Sequence, residues 1–263
     1  MMSQGERPFG AVKHQPNKVD GPQNIYDDPA FFEGFKDLRQ NDRGLNGALE
    51  IPALRDLLPA LAGKRVLDLG CGFGEFARFA REEGAASVMA LDASEKMLTE
   101  AHRLTNDHAI VYLHRLIETF VPEARSFDLV VSSMALHYVR DYGAVTQRVF
   151  EALRSGGRFV FSVEHPVCTA NPVGWVRDDE GNVLYWPLDR YQEEGERTTT
   201  WFVAGVRKYH RTVSSYVNAL TANGFHLERL NEPLPTAEAL ALRPAMATES
   251  RRPPVLLLAA LRP

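Results

Sequence analysis

Two histidines stand where a proton could be moved. His137 falls within "SSMALHYV", and His165 follows Glu164 in "SVEHPV". Histidine is the side chain whose ordinary pKa lies nearest neutrality, and a carboxylate beside it adds a second possible base. Each of the two stretches follows an apolar run, so each histidine is expected at a strand end. Their separation of 28 positions does not prevent convergence, because the ends of parallel strands share one edge of a sheet. Later in the chain, "RKYHRT" adds Tyr209 and His210, and "NIYDDPAFF" places Tyr26 far upstream. The chemistry open to His165, His137, Tyr209, His210 and Glu164 is acceptance of a proton from an oxygen, nitrogen or carbon nucleophile. Each also has a plainer role as a packed or surface side chain.

A second set of residues could bind. "VLDLGCGFGEF" sets Gly70, Gly72 and Gly74 behind an apolar run that contains Asp68. A Gly-rich turn between a parallel strand and a helix lets a ligand approach the backbone. The spacing is G-x-G-x-G. Glu75 stands where a dinucleotide fingerprint would have its third glycine, and no Lys-Ser/Thr pair of a phosphate loop follows. A carboxylate at a helix start repels a pyrophosphate, so the expected ligand has little negative charge at that end. Asp92 closes the next apolar run, 18 residues beyond Gly74. A carboxylate there can accept from two vicinal hydroxyls of a ribose.

These residues need a scaffold, and the chain supplies an alternation. Strand "RVLDL" leads to helix "EFARFAREEG", strand "VMALD" and a helix that Ser94 would cap. Strands "IVYLH" and "FDLVVSS" follow, then a helix over Tyr142–Leu153. "SGG" is expected to turn the chain into "RFVFSV". Helix "TVSSYVNALTANG", strand "FHLERL" and the run "VLLLAAL" complete the series. Strands alternating with helices imply a parallel-rich sheet covered on both faces. No internal repeat is visible.

Two regions break the rhythm. Residues 1–24 have no apolar period and read as loose, and 25–60 read as an interrupted helical cover. Residues 166–211 read as an insert that walls a substrate site or forms a satellite core, with seven aromatics between Trp175 and Tyr209. A net charge of −4 disfavours a nucleic-acid partner. Two cysteines are too few for a disulfide scaffold, and Cys71 has no neighbour that would activate it. No signal peptide or membrane span is legible, so a cytoplasmic protein is expected. No metal-ligand spacing is present, and no metal is expected.

Four stations, "VLDLGCGFG", "MALDAS", "FDLVVSSMALHYV" and "ALRSGGRFVFSVEHP", together resemble the class I S-adenosylmethionine-dependent methyltransferases, in particular their small-molecule branch of type 11. The resemblance covers roughly residues 60–165. It implies a Rossmann-like, doubly wound α/β fold with a mostly parallel seven-stranded sheet, S-adenosylmethionine as cofactor and S-adenosylhomocysteine as product. It implies Gly70, Cys71 and Gly72 against the cofactor, Asp92 with Ala93 at the ribose, and Asp68 near the methionine amino group. Ser94 and Met97 would flank the nucleoside, Ser133 and Met134 the methionine part, and Tyr26 would close over it. The family's acidic residue after the third strand is replaced here by Leu116 and Ile117, and Glu118 just beyond is expected in solvent or paired with an arginine. The partner would be a small methyl acceptor, aromatic on the strength of the insert. Three alternatives remain at this point: an RNA methyltransferase, an NAD-dependent oxidoreductase, and a non-catalytic module that binds the same cofactor.

Overall fold

The computed structural model describes residues 21, 23–40, 44–171 and 173–263. The segment expected to be loose, 1–24, lies almost wholly outside the described residues. Its last two residues are anchored: Gln23 Nε2 donates to the Gly205 carbonyl and Asn24 Nδ2 to the Ala93 carbonyl, each at 2.9 Å.

From there the chain makes one 3-10 turn, Ile25–Asp27, and enters α1 (Pro29–Gln40). Asp28 starts this helix by accepting from Phe31 N at 3.0 Å. A π-helical segment, Asn46–Glu50, then leads into α2 (Ile51–Leu57). The alternation follows as β1 (Arg65–Leu69), α3 (Glu75–Glu82), β2 (Ser87–Asp92), α4 (Glu95–Leu104) and β3 (Ile110–His114). Next come β4 (Phe127–Ser132), α5 (Tyr142–Ala152) and β5 (Leu153–Glu164). The insert holds α6 (Pro166–Ala170) and two hairpins, β6 (Val176–Arg177) with β7 (Val183–Tyr185), and β8 (Gly195–Trp201) with β9 (Val203–His210). The chain finishes with α7 (Val213–Ala222), β10 (His226–Asn231), α8 (Ala237–Leu242), a 3-10 stretch over Pro244–Arg251 and β11 (Val255–Leu261).

Seven strands form one sheet in the order β10-β11-β5-β4-β1-β2-β3. The strands from β5 to β3 are mutually parallel, and β11 runs antiparallel to both of its neighbours. This is the doubly wound, mostly parallel sheet that the sequence implies. The two-residue side-chain period sends Val66 of β1 to the face covered by α2 and α3, and Leu67 and Leu69 to the face covered by α5 and α7. Both faces are therefore apolar, and the strands read as near-continuous hydrophobic runs. Among the described residues, no helix is long and apolar enough to cross a membrane.

"SGG" lies within the span of β5 but bends the chain there: pairing with β4 passes from Leu153 opposite Phe127 to Arg158 opposite Leu129, and Gly156 has φ +77°. Gly156 N donates to the Arg262 carbonyl, and Arg262 N returns a bond to the Gly157 carbonyl, each at 2.8 Å. The tail of the chain therefore extends the ladder where an isolated reading sees only a flexible triplet.

Chain order reverses between β1 and β4, which opens a crevice at their carboxyl ends. The β8–β9 hairpin and α1 roof that crevice together. Phe31 meets Trp201 and Phe202 edge to face, at centroid separations of 5.3 and 5.4 Å. The fit is tight enough that a Cβ on Gly34 would come within 2.7 Å of the Phe202 ring.

Candidate active site

A cavity of about 820 Å³ runs along the crevice under this roof, within the range of small-molecule sites. Its floor begins at the glycine loop. Gly70 has φ +81°, and a Cβ there would lie 2.5 Å from that of Ala135, so the loop and the end of β4 touch backbone to side chain. Gly72 has φ +52° with open space where a Cβ would stand, and it borders the cavity. The loop is held by the protein's own backbone: Gly70 N and Cys71 N both donate to the Leu91 carbonyl, at 2.8 and 3.0 Å.

Two carboxylates flank this loop. Asp92 Oδ2 accepts from Gly72 N at 2.8 Å, and its Oδ1 from Ser94 N at 2.9 Å. Burial pushes its pKa up, against the pull of those N–H groups. Each oxygen keeps acceptor capacity, and the residue borders the cavity. Asp68 is 1% exposed, and its Oδ2 has no hydrogen-bond partner. Burial, then the nearby Asp92 charge, pushes its pKa up to about 8. An orphaned carboxylate oxygen on a ligand cavity calls for a cationic donor, and the ammonium group of S-adenosylmethionine is such a donor. The residues present thus fit that cofactor.

Around them lie Ala93, Met97, Leu116 and Ile117, all on the cavity wall. Tyr26 also borders it, held by Phe31 and Phe35 at 4.8 and 5.2 Å and by Tyr138, whose hydroxyl is 3.4 Å from its own. Ser133 and Met134 border it too. Met134 has φ +53°, a conformation that needs support. Its N donates to both the carbonyl and the hydroxyl of Ser162, at 3.1 and 3.0 Å. Ser162 and Ser133 in turn donate to Glu50 Oε1, at 2.5 and 2.9 Å. Glu50 is fully buried on the π-helical segment, so the helical cover fixes the end of β4.

Two expectations for this half need correction. Ser94 does not reach the cavity. It is fully buried, caps α4 by accepting from Met97 N at 3.1 Å, and donates to Asp27 Oδ1 at 2.5 Å. Glu118 is not turned away; it borders the cavity next to Leu116 and Ile117.

The five candidate bases separate cleanly. His165 caps α6: its Nδ1 accepts from Val167 N at 3.1 Å, and its Nε2 lies 2.8 Å from Glu232 Oε1. Both nitrogens are occupied, and the ring is off the cavity wall. His210 is fully buried between Thr169 Oγ1 at 2.7 Å and the Tyr191 carbonyl at 2.9 Å, also off the wall. Tyr209 points out of the hairpin to Arg140 and Glu196, because Lys208, its neighbour on β9, points in.

His137 does border the cavity. Its Nδ1 accepts from Glu164 N at 3.3 Å. Burial, then the charges of Lys208 and Arg211, hold its pKa well below the usual imidazole value. A neutral ring whose Nδ1 accepts must carry its proton on Nε2, so the free nitrogen is a donor and not a base. Glu164 is the one candidate left on the wall with an acceptor to offer. Lys208 Nζ donates to its Oε2.

The sequence does not single out Lys208 or Arg252, whereas Trp186 and Trp201 are among the seven insert aromatics expected to wall a site. Beyond Glu164 the wall carries Trp186, Trp201, Lys208 and Arg252. The aromatics are a visible signal, but which of them turn inward is set by hairpin register. The alternation of β9 is the one local clue that would have chosen Lys208 over Tyr209.

Comparison with known proteins agrees with this geometry. The family model described as a methyltransferase domain matches residues 66–157, which span the glycine loop, Asp92 and the end of β4. An S-adenosylmethionine-dependent methyltransferase from Mesorhizobium loti superposes with a TM-score of 0.78 at 47% identity, over 83% of this chain and 100% of that one. An uncharacterized protein of Haemophilus influenzae is 35% identical over 252 residues, 90% of this chain and 96% of that one. The malonyl-[acyl-carrier protein] O-methyltransferase of Enterobacter lignolyticus is 39% identical over 111 residues, and this chain spans only 43% of its length. With a whole-length relative of known cofactor and a crevice built to match it, the chain belongs to the class I S-adenosylmethionine-dependent methyltransferases.

Proposed function

We propose that the enzyme methylates an oxygen or nitrogen of a small molecule that enters beneath the β8–β9 hairpin. The observation that carries this reading is the continuity of one cavity, from the glycine loop past Glu164 to Trp186 and Trp201. Bound S-adenosylmethionine supplies a methyl group already activated by its positive sulfur. Asp92 would hold the ribose hydroxyls, Asp68 the ammonium group, and Glu118 an adenine edge. Gly70, Cys71 and Gly72 would form the floor, with Ala93, Met97, Leu116 and Ile117 as walls. Ser133 and Met134 would contact the methionine part, and Tyr26 would turn its ring toward the cationic end.

The protein's own work is alignment and proton removal. Orientation alone can supply about 7–11 kcal/mol. Glu164 accepts the proton of the attacking O–H or N–H at its carboxylate, while Lys208 holds that carboxylate in place. His137 offers its Nε2–H to the acceptor and fixes the backbone of Glu164 through Nδ1. The roof excludes water from both reactants.

Supplying methyl-labelled cofactor to metabolite extracts tests the reading. Label should pass to compounds of low molecular mass, and Glu164→Gln should lower kcat by roughly 10²–10⁴-fold with unchanged S-adenosylhomocysteine affinity. Label found only on macromolecules, or a Glu164→Gln variant with normal turnover, would overturn it.

A further inference from the structure

We infer that the methyl acceptor is an anion, and that its carboxylate or phosphate is received by Arg252. The inference rests on the proposed function and adds the class of substrate to it.

Arg252 lies just before β11, and its side chain is 11% exposed where it borders the cavity. Its guanidinium sits 4.3 Å over the Trp186 ring and 5.4 Å from that of Trp175. Nη2 is 2.9 Å from Glu249 Oε2. Nε and Nη1 have no partner, and neither has Trp175 Nε1. Among the described residues six buried side-chain polar atoms lack a hydrogen bond. One is Asp68 Oδ2, the oxygen that awaits an ammonium. Four belong to Arg252, Trp175 and Glu249: the Glu249 oxygen, which faces Arg252 Nη2 as an ion pair without hydrogen-bond geometry, and three donors.

Unsatisfied buried donors are costly, and a guanidinium keeps its charge at any working pH. Packing against two indoles set at 80° to each other holds the group in place without consuming its N–H groups. The result is a rigid, donor-rich fork, which matches the two oxygens of a carboxylate or phosphate. Its neighbours set the sign. Lys208 is a second cation on the same wall, where it pairs with Glu164. Arg251 packs on Trp175 at 5.3 Å but spends its nitrogens on the carbonyls of Val183 and Leu184. Cys168, on the same wall, is a neutral thiol, since burial pushes it up to about 12.

The test uses the full chain saturated with S-adenosylhomocysteine and three probes: benzoate, phenyl phosphate and benzamide. Ligand-observed NMR gives their affinities. At least one anion should bind about tenfold tighter than benzamide, and which one does identifies the group. Arg252→Met should erase that preference while leaving S-adenosylhomocysteine affinity unchanged. Glu249→Gln, which removes the competing carboxylate, should tighten the preferred anion and so keeps the test open should Arg252→Met unfold. Equal affinity for all three probes, including none for any, would overturn the inference and leave the methyltransferase reading standing, as would weaker anion binding in Glu249→Gln. Failure to bind S-adenosylhomocysteine at all would sink both.

Discussion

Burial drives Asp68 and His137 toward their neutral forms, and the two results do different work. His137 loses its charge and becomes a fixed donor. Asp68, with a pKa of about 8, is mostly protonated in the free protein at neutral pH. The sign of its linkage follows. Its unfolded value is near 3.8, so the folded chain holds an extra proton between roughly pH 4 and 8, and the stability this contributes is full below about pH 4 and is lost progressively as pH rises to about 8. A bound ammonium favours the carboxylate and expels that proton. Calorimetry of S-adenosylhomocysteine binding at pH 7, in buffers of different ionisation heat, should therefore show proton release. The release should fade above pH 8 and vanish in Asp68→Asn. Heats independent of buffer at pH 7 would remove Asp68 from this role.

Between elements, the critical joint is the aromatic contact of α1 with the β8–β9 hairpin. Phe31 is fully buried among Tyr26, Trp201 and Phe202. Phe31→Ala should destabilise the fold by about 3–5 kcal/mol, measured by denaturant titration. It should also weaken S-adenosylhomocysteine binding and raise the acceptor KM together, because one ring supports both Tyr26 and Trp201. A loss confined to one of the two ligands would show that the roof is not shared. This scale also marks where the sequence becomes hard to read. The places of the glycine loop, Asp68 and Asp92 on the cavity wall are legible because each follows from a strand end and the turn beside it. Ser94 keeps its legible role as a helix cap and loses only the one lent by resemblance. His165 looked catalytic because it ends a strand, yet the following "PV" starts a helix that needs its Nδ1 as a cap. Lys208, Trp186 and Arg252 depend on hairpin register and loop packing, which no local spacing encodes.

For the molecule as a whole, three buried histidines weaken the fold in acid, against the opposite linkage of Asp68. His137, His165 and His210 all have depressed pKa values, with burial the leading cause in each. Below the ordinary histidine value of 6.5 the unfolded chain takes up protons more readily than the folded chain does. Their contribution is therefore intact above pH 6.5 and is lost as pH falls below it, at up to about 1.4 kcal/mol per pH unit for each ring. His210→Gln removes one of the three. Between pH 6.5 and 5, its melting temperature should fall less steeply than that of the wild type; parallel curves would exclude His210 from the acid response. The sheet itself was the most legible part of the molecule, since seven apolar runs and the helices between them admit few arrangements. The hairpins of the insert were not, because short antiparallel pairs with half-exposed faces leave only a weak period.

The common roof has a kinetic consequence. Trp201 stands over the proposed acceptor end and rests on Phe31, which also props Tyr26 over the proposed donor end. A door hung on one hinge cannot open for a single guest. Whatever lifts the hairpin to release a methylated product also loosens the lid above the spent nucleoside, so the two departures share one clock, and excess acceptor would slow turnover by keeping that door shut on the spent nucleoside.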